Sequence, residues 1–159
     1  TLGATLVVES VNGRREIAAE DYFKGLYETA REANELLVEI LIPAEKLGDV
    51  SVFLELAQRH GDFAMAGLAC VARVSNKTFE DLRLVYFGSE DKPTLGTGAI
   101  AAVVGRTWSA DCKEAAANAL ANDLDPMTNL QGSAAMKLHL QKVLTGRALD
   151  AAIERAGAA

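Results

Sequence analysis

The chain has 159 residues, with 16 Lys and Arg against 22 Asp and Glu, for a formal charge of −6. Apolar residues make up 50% and charged residues 24%, the balance of a folded domain, which excludes a disordered or collagen-like chain. The acidic balance argues against a nucleic-acid partner, no apolar run approaches the ~20 residues of a membrane span, and no secretory signal is expected from the opening residues.

In chain order, Thr5-Leu6-Val7-Val8-Glu9 is rich in β-branched residues and predicts a strand. Asn12-Gly13 follows, a pair that tolerates the positive φ angles of a type I′ turn, and Arg14-Arg15-Glu16-Ile17 returns as a second strand. Residues 20–26 predict a short helix, with Asp21 near its positive end. The run Glu35-Leu36-Leu37-Val38-Glu39-Ile40-Leu41-Ile42 predicts a third strand, stopped by Pro43, which has no N–H for the ladder. Residues 44–50, with Gly48 among them, are the expected domain boundary. The residues before it, 1–43, are too few for a core of their own. They are expected to lean on the rest of the chain or on a preceding half.

Beyond the boundary, residues 51–57 alternate, with Val52, Leu54 and Leu56 on one side and Phe53 and Glu55 on the other. Residues 64–74 are apolar on both faces until Arg73, as in a central strand covered on both sides. Ser75-Asn76-Lys77 predicts a turn, and residues 82–87 a further strand ended by Gly88. Helical patterns then take over. Residues 94–104 are closed by Gly105 as C-cap, and Ser109 is the N-cap of a helix reaching about Leu124. A last helix begins at Ser133, with an apolar stripe of Met136, Leu140, Val143, Leu144 and Ala148. Strands followed by helices indicate an α+β fold. The expectation is a three- to four-stranded antiparallel sheet packed against about three helices, preceded by a partial sheet.

No Gly-x-Gly-x-x-Gly, Walker loop, His-Glu-x-x-His or Gly-x-Ser-x-Gly occurs. The two cysteines, Cys70 and Cys112, and the two histidines, His60 and His139, are too scattered for a zinc or iron–sulfur site. The cysteines read as reduced, buried thiols of a cytoplasmic protein. His60 reads as a loop bystander, and His139 as a partly buried packing residue. One stretch has unusual chemistry: Gln58-Arg59-His60-Gly61-Asp62-Phe63-Ala64 interrupts two apolar strands with a cation, an imidazole, a glycine, a carboxylate and an aromatic ring. It reads either as a connecting loop with a solvated ion pair or as an irregular corner presenting ring, charge and backbone N–H groups to a planar polar ligand.

Several motifs coincide in order. The run from Glu35 to Pro43 is followed by Phe53-Leu54-Glu55-Leu56-Ala57-Gln58-Arg59-His60-Gly61-Asp62-Phe63-Ala64-Met65-Ala66-Gly67. Then come Asp125-Pro126-Met127-Thr128-Asn129-Leu130-Gln131-Gly132-Ser133-Ala134, His139-Leu140 and Arg147-Ala148-Leu149. Over nearly the whole chain this resembles the flavin-binding medium subunit of the molybdenum hydroxylases, the aerobic carbon monoxide dehydrogenase and xanthine dehydrogenase family. The resemblance implies that residues 1–43 are the tail of the second FAD-binding subdomain, 44–50 a linker, and 51–159 the C-terminal α+β domain. It places Gly61, Asp62 and Phe63 against the isoalloxazine ring of FAD, with Arg59 supporting them and Leu37 on a neighbouring strand. Glu55 departs from the family, in which Lys is frequent, and Met136-Lys137 stand where an aromatic–Arg pair is frequent.

The implied role is electron transfer in an oxidoreductase. A molybdenum-cofactor large subunit and an iron–sulfur small subunit are the implied partners, and the flavin passes electrons to an acceptor. The family's glycine-rich segments for the flavin diphosphate lie upstream and are not in this chain. It is therefore expected not to hold FAD alone, and the opening at Thr1 fits a proteolysed or truncated product. Two alternatives accompany this reading: a non-catalytic subunit-interaction module, and self-association through exposed N-terminal strand edges.

Overall fold

A computed structural model describes residues 1–59 and 61–158 and divides the chain into two units, Thr1–Glu45 and Lys46–Ala159. The reading of His60 as a bystander lies outside the described residues.

In the first unit, β1 (Thr5–Ser10) pairs antiparallel with β2 (Gly13–Ala18), Leu6 opposite Ile17. Leu6, Val8, Ile17 and Tyr22 form a small core, because alternate strand residues share a face. The turn is Val11-Asn12, since Ser10 pairs with Gly13 and draws the glycine into the ladder. The positive φ falls on Gly13 alone, at 124°. This corrects the type I′ turn expected at Asn12-Gly13.

The helix expected over 20–26 is a single turn, α1 (Ala19–Tyr22). It stops because Phe23 starts β3 (Phe23–Gly25) and pairs with Thr29 of β4 (Glu28–Thr29). The Phe23 ring also meets Tyr22 edge-on at 5.2 Å. The third strand, β5 (Leu36–Leu41), lies at the sheet edge in the order β2-β1-β5, and all six of its residues are exposed.

Just before β5, Glu35 is buried and fully paired. Arg15 donates from Nε to Oε1 at 2.6 Å and from Nη2 to Oε2 at 2.7 Å, and the Glu32 N–H donates to Oε2 at 2.7 Å. The Arg31 guanidinium donates to the Glu35 carbonyl. The Arg15 hydrogen bonds, then the Glu32 N–H, hold the Glu35 carboxyl at a pKa of about 2.

The second unit is a four-stranded antiparallel sheet of β6 (Asp49–Leu56), β7 (Ala66–Ser75), β8 (Thr78–Phe87) and β9 (Thr94–Leu95), in that order. Helices α2 (Thr97–Val103), α3 (Ala110–Asp123) and α4 (Ala134–Ala158) complete it. This is the α+β layer packing expected from the sequence. The β7–β8 hairpin turns on Asn76 and Lys77, both at positive φ, 49° and 59°, with Ser75 paired to Thr78. That is type I′ geometry, whose twist suits paired strands.

The core runs from Leu68, Cys70, Phe79, Leu84 and Tyr86 on the sheet to Val103, Leu120, Leu144 and Leu149 on the helices. The helices cover one face only, so β7 is not buried on both sides as expected; Ala69 and Val71 are half-buried. Part of the other face is covered by rings. Phe87 lies where a Cβ on Gly67 would go and stacks on Phe53 at 5.3 Å.

Two boundaries follow from distant partners. Residues 94 and 95 are strand, and α2 starts at Thr97 because the Asp123 carboxylate accepts the N–H groups of Gly98 and Ala99 at 2.8 and 2.9 Å. Ser109 caps α3 as expected, accepting the Cys112 N–H at 3.3 Å. Gly105 follows α2 at φ 77°, the left-handed value a helix end favours.

The stripe predicted on α4 is corrected. Leu144 and Ala148 are buried, but Met136 is 38% exposed and His139 is exposed, not a packing residue. Lys137, Gln141 and Thr145, at i, i+4 and i+8, take the buried face instead. Burial pushes the Lys137 amine and the Tyr86 phenol toward their neutral forms, the amine down and the phenol up. It also raises the Cys70 thiol to about 12. Both cysteines are buried and unpaired. Among the described residues no helix is long and apolar enough to cross a membrane.

Glu35 makes the first unit sensitive to acid. A carboxyl depressed from 4.5 to about 2 contributes stability in full above pH 4.5 and loses it as the pH falls toward 2. Thermal melts followed through the Tyr22 ring resonances should therefore fall in midpoint across that window. Glu35→Gln should flatten the dependence and lower the midpoint at neutral pH.

Candidate functional site

The stretch of unusual composition joins β6 to β7 as a protruding corner. Its base is closed by the Met65 N–H donating to the Leu56 carbonyl at 2.7 Å. A tighter turn forms within it, the Asp62 N–H donating to the Arg59 carbonyl at 3.1 Å. Gly61 sits at φ 89°, which a side chain would strain, and a Cβ there would meet nothing within 4 Å. Arg59 and Asp62 are both exposed, and what joins them is backbone, not an ion pair. The Phe63 ring is 90% exposed.

The far end of the corner rests on the rest of the unit at two points. Gly88, at φ 80°, lets the Ala64 carbonyl approach so closely that a Cβ would stand 2.6 Å from it. Gln131, from the loop between α3 and α4, donates from Nε2 to the Phe63 carbonyl at 3.3 Å. That loop is itself anchored. The Met127 N–H donates to the Ser89 carbonyl at 2.8 Å, and Asn129 and Gly132 exchange two backbone hydrogen bonds at 3.1 Å. Thr128 Oγ1 accepts the Ala134 N–H at 3.0 Å, at the start of α4.

Arg59, Gly61, Asp62 and Phe63 thus belong to one short corner of the second unit. Leu37 belongs to β5 of the first unit, where it is 41% exposed. Glu55 is exposed on β6. Sequence reasoning missed Gln131 and Gly88. The segment carrying Gln131 stands out only as part of a family pattern, and nothing local shows that its amide reaches a carbonyl 68 positions away. A separate cleft of about 640 Å³ lies between the Glu90-Asp91-Lys92 stretch and the end of α3, lined by Asp123, Asp125 and Met127 as well, and holds none of the predicted residues. Among the described residues no three His, Cys, Asp or Glu side chains are grouped to hold a metal ion. A ring standing in solvent beside a carboxylate and an open glycine can cover one side of a flat ligand and meet its polar edge.

Residues 51–152 match the family described as CO dehydrogenase flavoprotein C-terminal domain, and residues 1–45 match the FAD binding domain in molybdopterin dehydrogenase. The chain is 33% identical to the carbon monoxide dehydrogenase medium chain of Hydrogenophaga pseudoflava, over 96% of this chain and 53% of that protein. It is 30% identical to the glyceraldehyde dehydrogenase medium chain of Sulfolobus acidocaldarius, over 92% and 52%. Among solved structures, carbon monoxide dehydrogenase from Hydrogenophaga pseudoflava superposes with a TM-score of 0.92 at 34% identity, over 97% of this chain and 54% of that one. Quinoline 2-oxidoreductase from Pseudomonas putida 86 superposes at 0.89 with 30% identity, over 98% and 54%. The chain therefore spans about half the length of the relatives it matches. The match covers more than half of its residues and agrees with the order of motifs read from the sequence, so the chain belongs to the FAD-binding medium-subunit family of the molybdenum hydroxylases.

Proposed function

We propose that the chain is part of a flavoprotein subunit in which the corner of Arg59, Gly61, Asp62 and Phe63 faces the isoalloxazine ring of FAD. The subunit passes electrons from iron–sulfur clusters to an acceptor. Its partners are a molybdenum-cofactor large subunit and an iron–sulfur small subunit, in the cytoplasm, where two unpaired thiols stay reduced. On this reading residues 1–43 are the tail of the second FAD-binding subdomain, 44–50 a linker and 51–159 the C-terminal domain. The observation that carries it is the Phe63 ring, 90% exposed at the tip of a corner held by hydrogen bonds at its base and at its far end. A ring held out in this way offers an open aromatic face to a flat ligand.

The residues fit one wall of a ring site. Open space beside Gly61 admits a flat ligand close to the backbone. The Phe63 ring covers an aromatic face and excludes water from it. The Asp62 carboxylate meets a polar edge, while Arg59, exposed beside it, supports the turn through its carbonyl. When bound, the flavin carries the redox chemistry, and the protein's share is orientation and electrostatics. The family's diphosphate-holding glycine segments are not among these 159 residues, so we infer that the chain alone does not retain FAD.

The edge strand β5 favours a second reading, as an interaction module. Its residues, Leu36 at 70% among them, are exposed along an unpaired edge, and such edges pair with a second strand.

Three outcomes are expected. The purified chain should be colourless, whereas a stoichiometric flavin band at about 450 nm would refute the inference that it does not retain FAD alone. In the full-length subunit, Asp62→Ala with Phe63→Ala should shift the flavin absorbance spectrum and slow electron transfer to the acceptor; an unchanged spectrum and rate would make the corner structural only. Analytical ultracentrifugation of the chain should show a dimer that grows with concentration and disappears in Val38→Lys, and a monomer at every concentration would remove the edge-pairing reading.

A further inference from the structure

We infer that Gln131 is a positioning residue for the flavin-facing corner: its side-chain amide, bonded to the Phe63 carbonyl, sets where the Phe63 ring and Asp62 stand. The inference rests on the flavin reading above and goes beyond it, because Gln131 lies outside the corner and holds no ligand itself.

Among the described residues, the corner's own backbone hydrogen bonds lie at its base and first turn. Met65 N–H to Leu56 O closes its base, and Asp62 N–H to Arg59 O tightens its first turn. Neither bond reaches the Phe63 end of the tip, which follows Gly61 at φ 89°. Phe63 is 90% exposed, so its ring has little packing to hold it. The Gln131 Nε2 donor, 3.3 Å from the Phe63 carbonyl, is the bond that reaches the tip from another element. Its own backbone does not drift, because the loop is fastened at Met127 to Ser89, at Thr128 to Ala134, and across Asn129 and Gly132. The Met136 methyl lies against Gly132, where a Cβ would meet it.

The loop's anchor continues into the core. Ser89 accepts from Gln141 Nε2 at 2.9 Å, and the same amide nitrogen donates to the Phe87 carbonyl at 3.1 Å. Between those two residues stands Gly88, against which the Ala64 carbonyl packs. Helix α4 and the loop before it therefore define the tip from both sides: Gln141 through Gly88 to Ala64, and Gln131 directly to Phe63.

The test uses the 159-residue chain with Gln131→Ala, with Gln131→Glu, which keeps the length but loses the N–H donor, and with Gln131→Lys, which restores a donor. Amide hydrogen exchange at residues 61–65 should quicken about fivefold in the Ala and Glu variants, the effect of losing one hydrogen bond. It should return close to the parent rate in the Lys variant, with the global melting temperature unchanged. Titration with lumiflavin, an isoalloxazine without the diphosphate chain, should show fluorescence quenching whose Kd rises about fivefold in the Ala and Glu variants and recovers in the Lys variant. Unchanged exchange, or unchanged lumiflavin affinity, in Gln131→Ala overturns the inference. Equal quenching by the parent chain and Phe63→Ala overturns it too, but by removing the flavin reading; the exchange data then show whether the hydrogen bond itself was real.

Discussion

A single side-chain amide, buried beneath the sheet, ties the end of β8 to α4 in the second unit. Gln141 Nε2 donates to the Phe87 carbonyl and to Ser89 Oγ where water does not reach. In that setting an unmet donor costs about 1–3 kcal/mol, so the amide holds the end of β8 to α4 in one register. One turn further on, Thr145 repeats the device, its hydroxyl donating to the Gln141 carbonyl and accepting from the Tyr86 hydroxyl, each at 2.8 Å. Apolar packing supplies most of the free energy of this interface, but it is tolerant of small slides. The polar row is not, and it locks the sheet end from which the Ser89 and Gly88 contacts are made.

That row is also where sequence reasoning failed most instructively. Periodicity on α4 found Leu144 and Ala148 correctly, because apolar residues at helical spacing face a core. It then extended the stripe to Met136, which is exposed, and passed over Lys137, Gln141 and Thr145, which are buried. A hydropathy rule scores polar residues as outward and cannot see partners 52 to 59 positions away. The same blindness moved the start of α2. Asp123 caps it from the far end of α3, whereas the cap of α3, Ser109, is three residues from its donor and was legible. Local signals were read well for β1, β2, β5, β6 and β7 and for the glycine after α2, whereas β8 begins four residues before the expected strand and β3, β4 and β9 were not expected. Where a competing local partner existed, as for Phe23 with Thr29, the helical pattern lost to strand pairing.

The corner was legible for a different reason. A cation, a glycine, a carboxylate and an aromatic ring between two apolar strands break the pattern that either strand needs, so the chain must leave the sheet there. Composition alone favoured a connecting loop with a solvated ion pair; in the structure Arg59 and Asp62 are joined by a backbone hydrogen bond. What composition could not supply was the support. Gly88 reads as a strand terminator, and it does end β8, yet its lack of a side chain matters as much for the carbonyl of Ala64 that closes on it. Gln131 carries no local signature at all.

Two surfaces of this chain share an energetic problem. The Phe63 ring and the six residues of β5 expose apolar area that water penalises by roughly 25 cal/mol per Å², and β5 adds a row of unpaired backbone groups. Their structural settings differ. The corner has a tip shaped by hydrogen bonds and a glycine, and such fixed geometry suits a ligand of defined outline. β5 is a regular edge, with little shape beyond its pleat, and suits another strand. Fixity separates the two cases: the Phe63 carbonyl accepts from Gln131 and the Ala64 carbonyl packs on Gly88, and a corner held in this way can meet a ligand without first reordering.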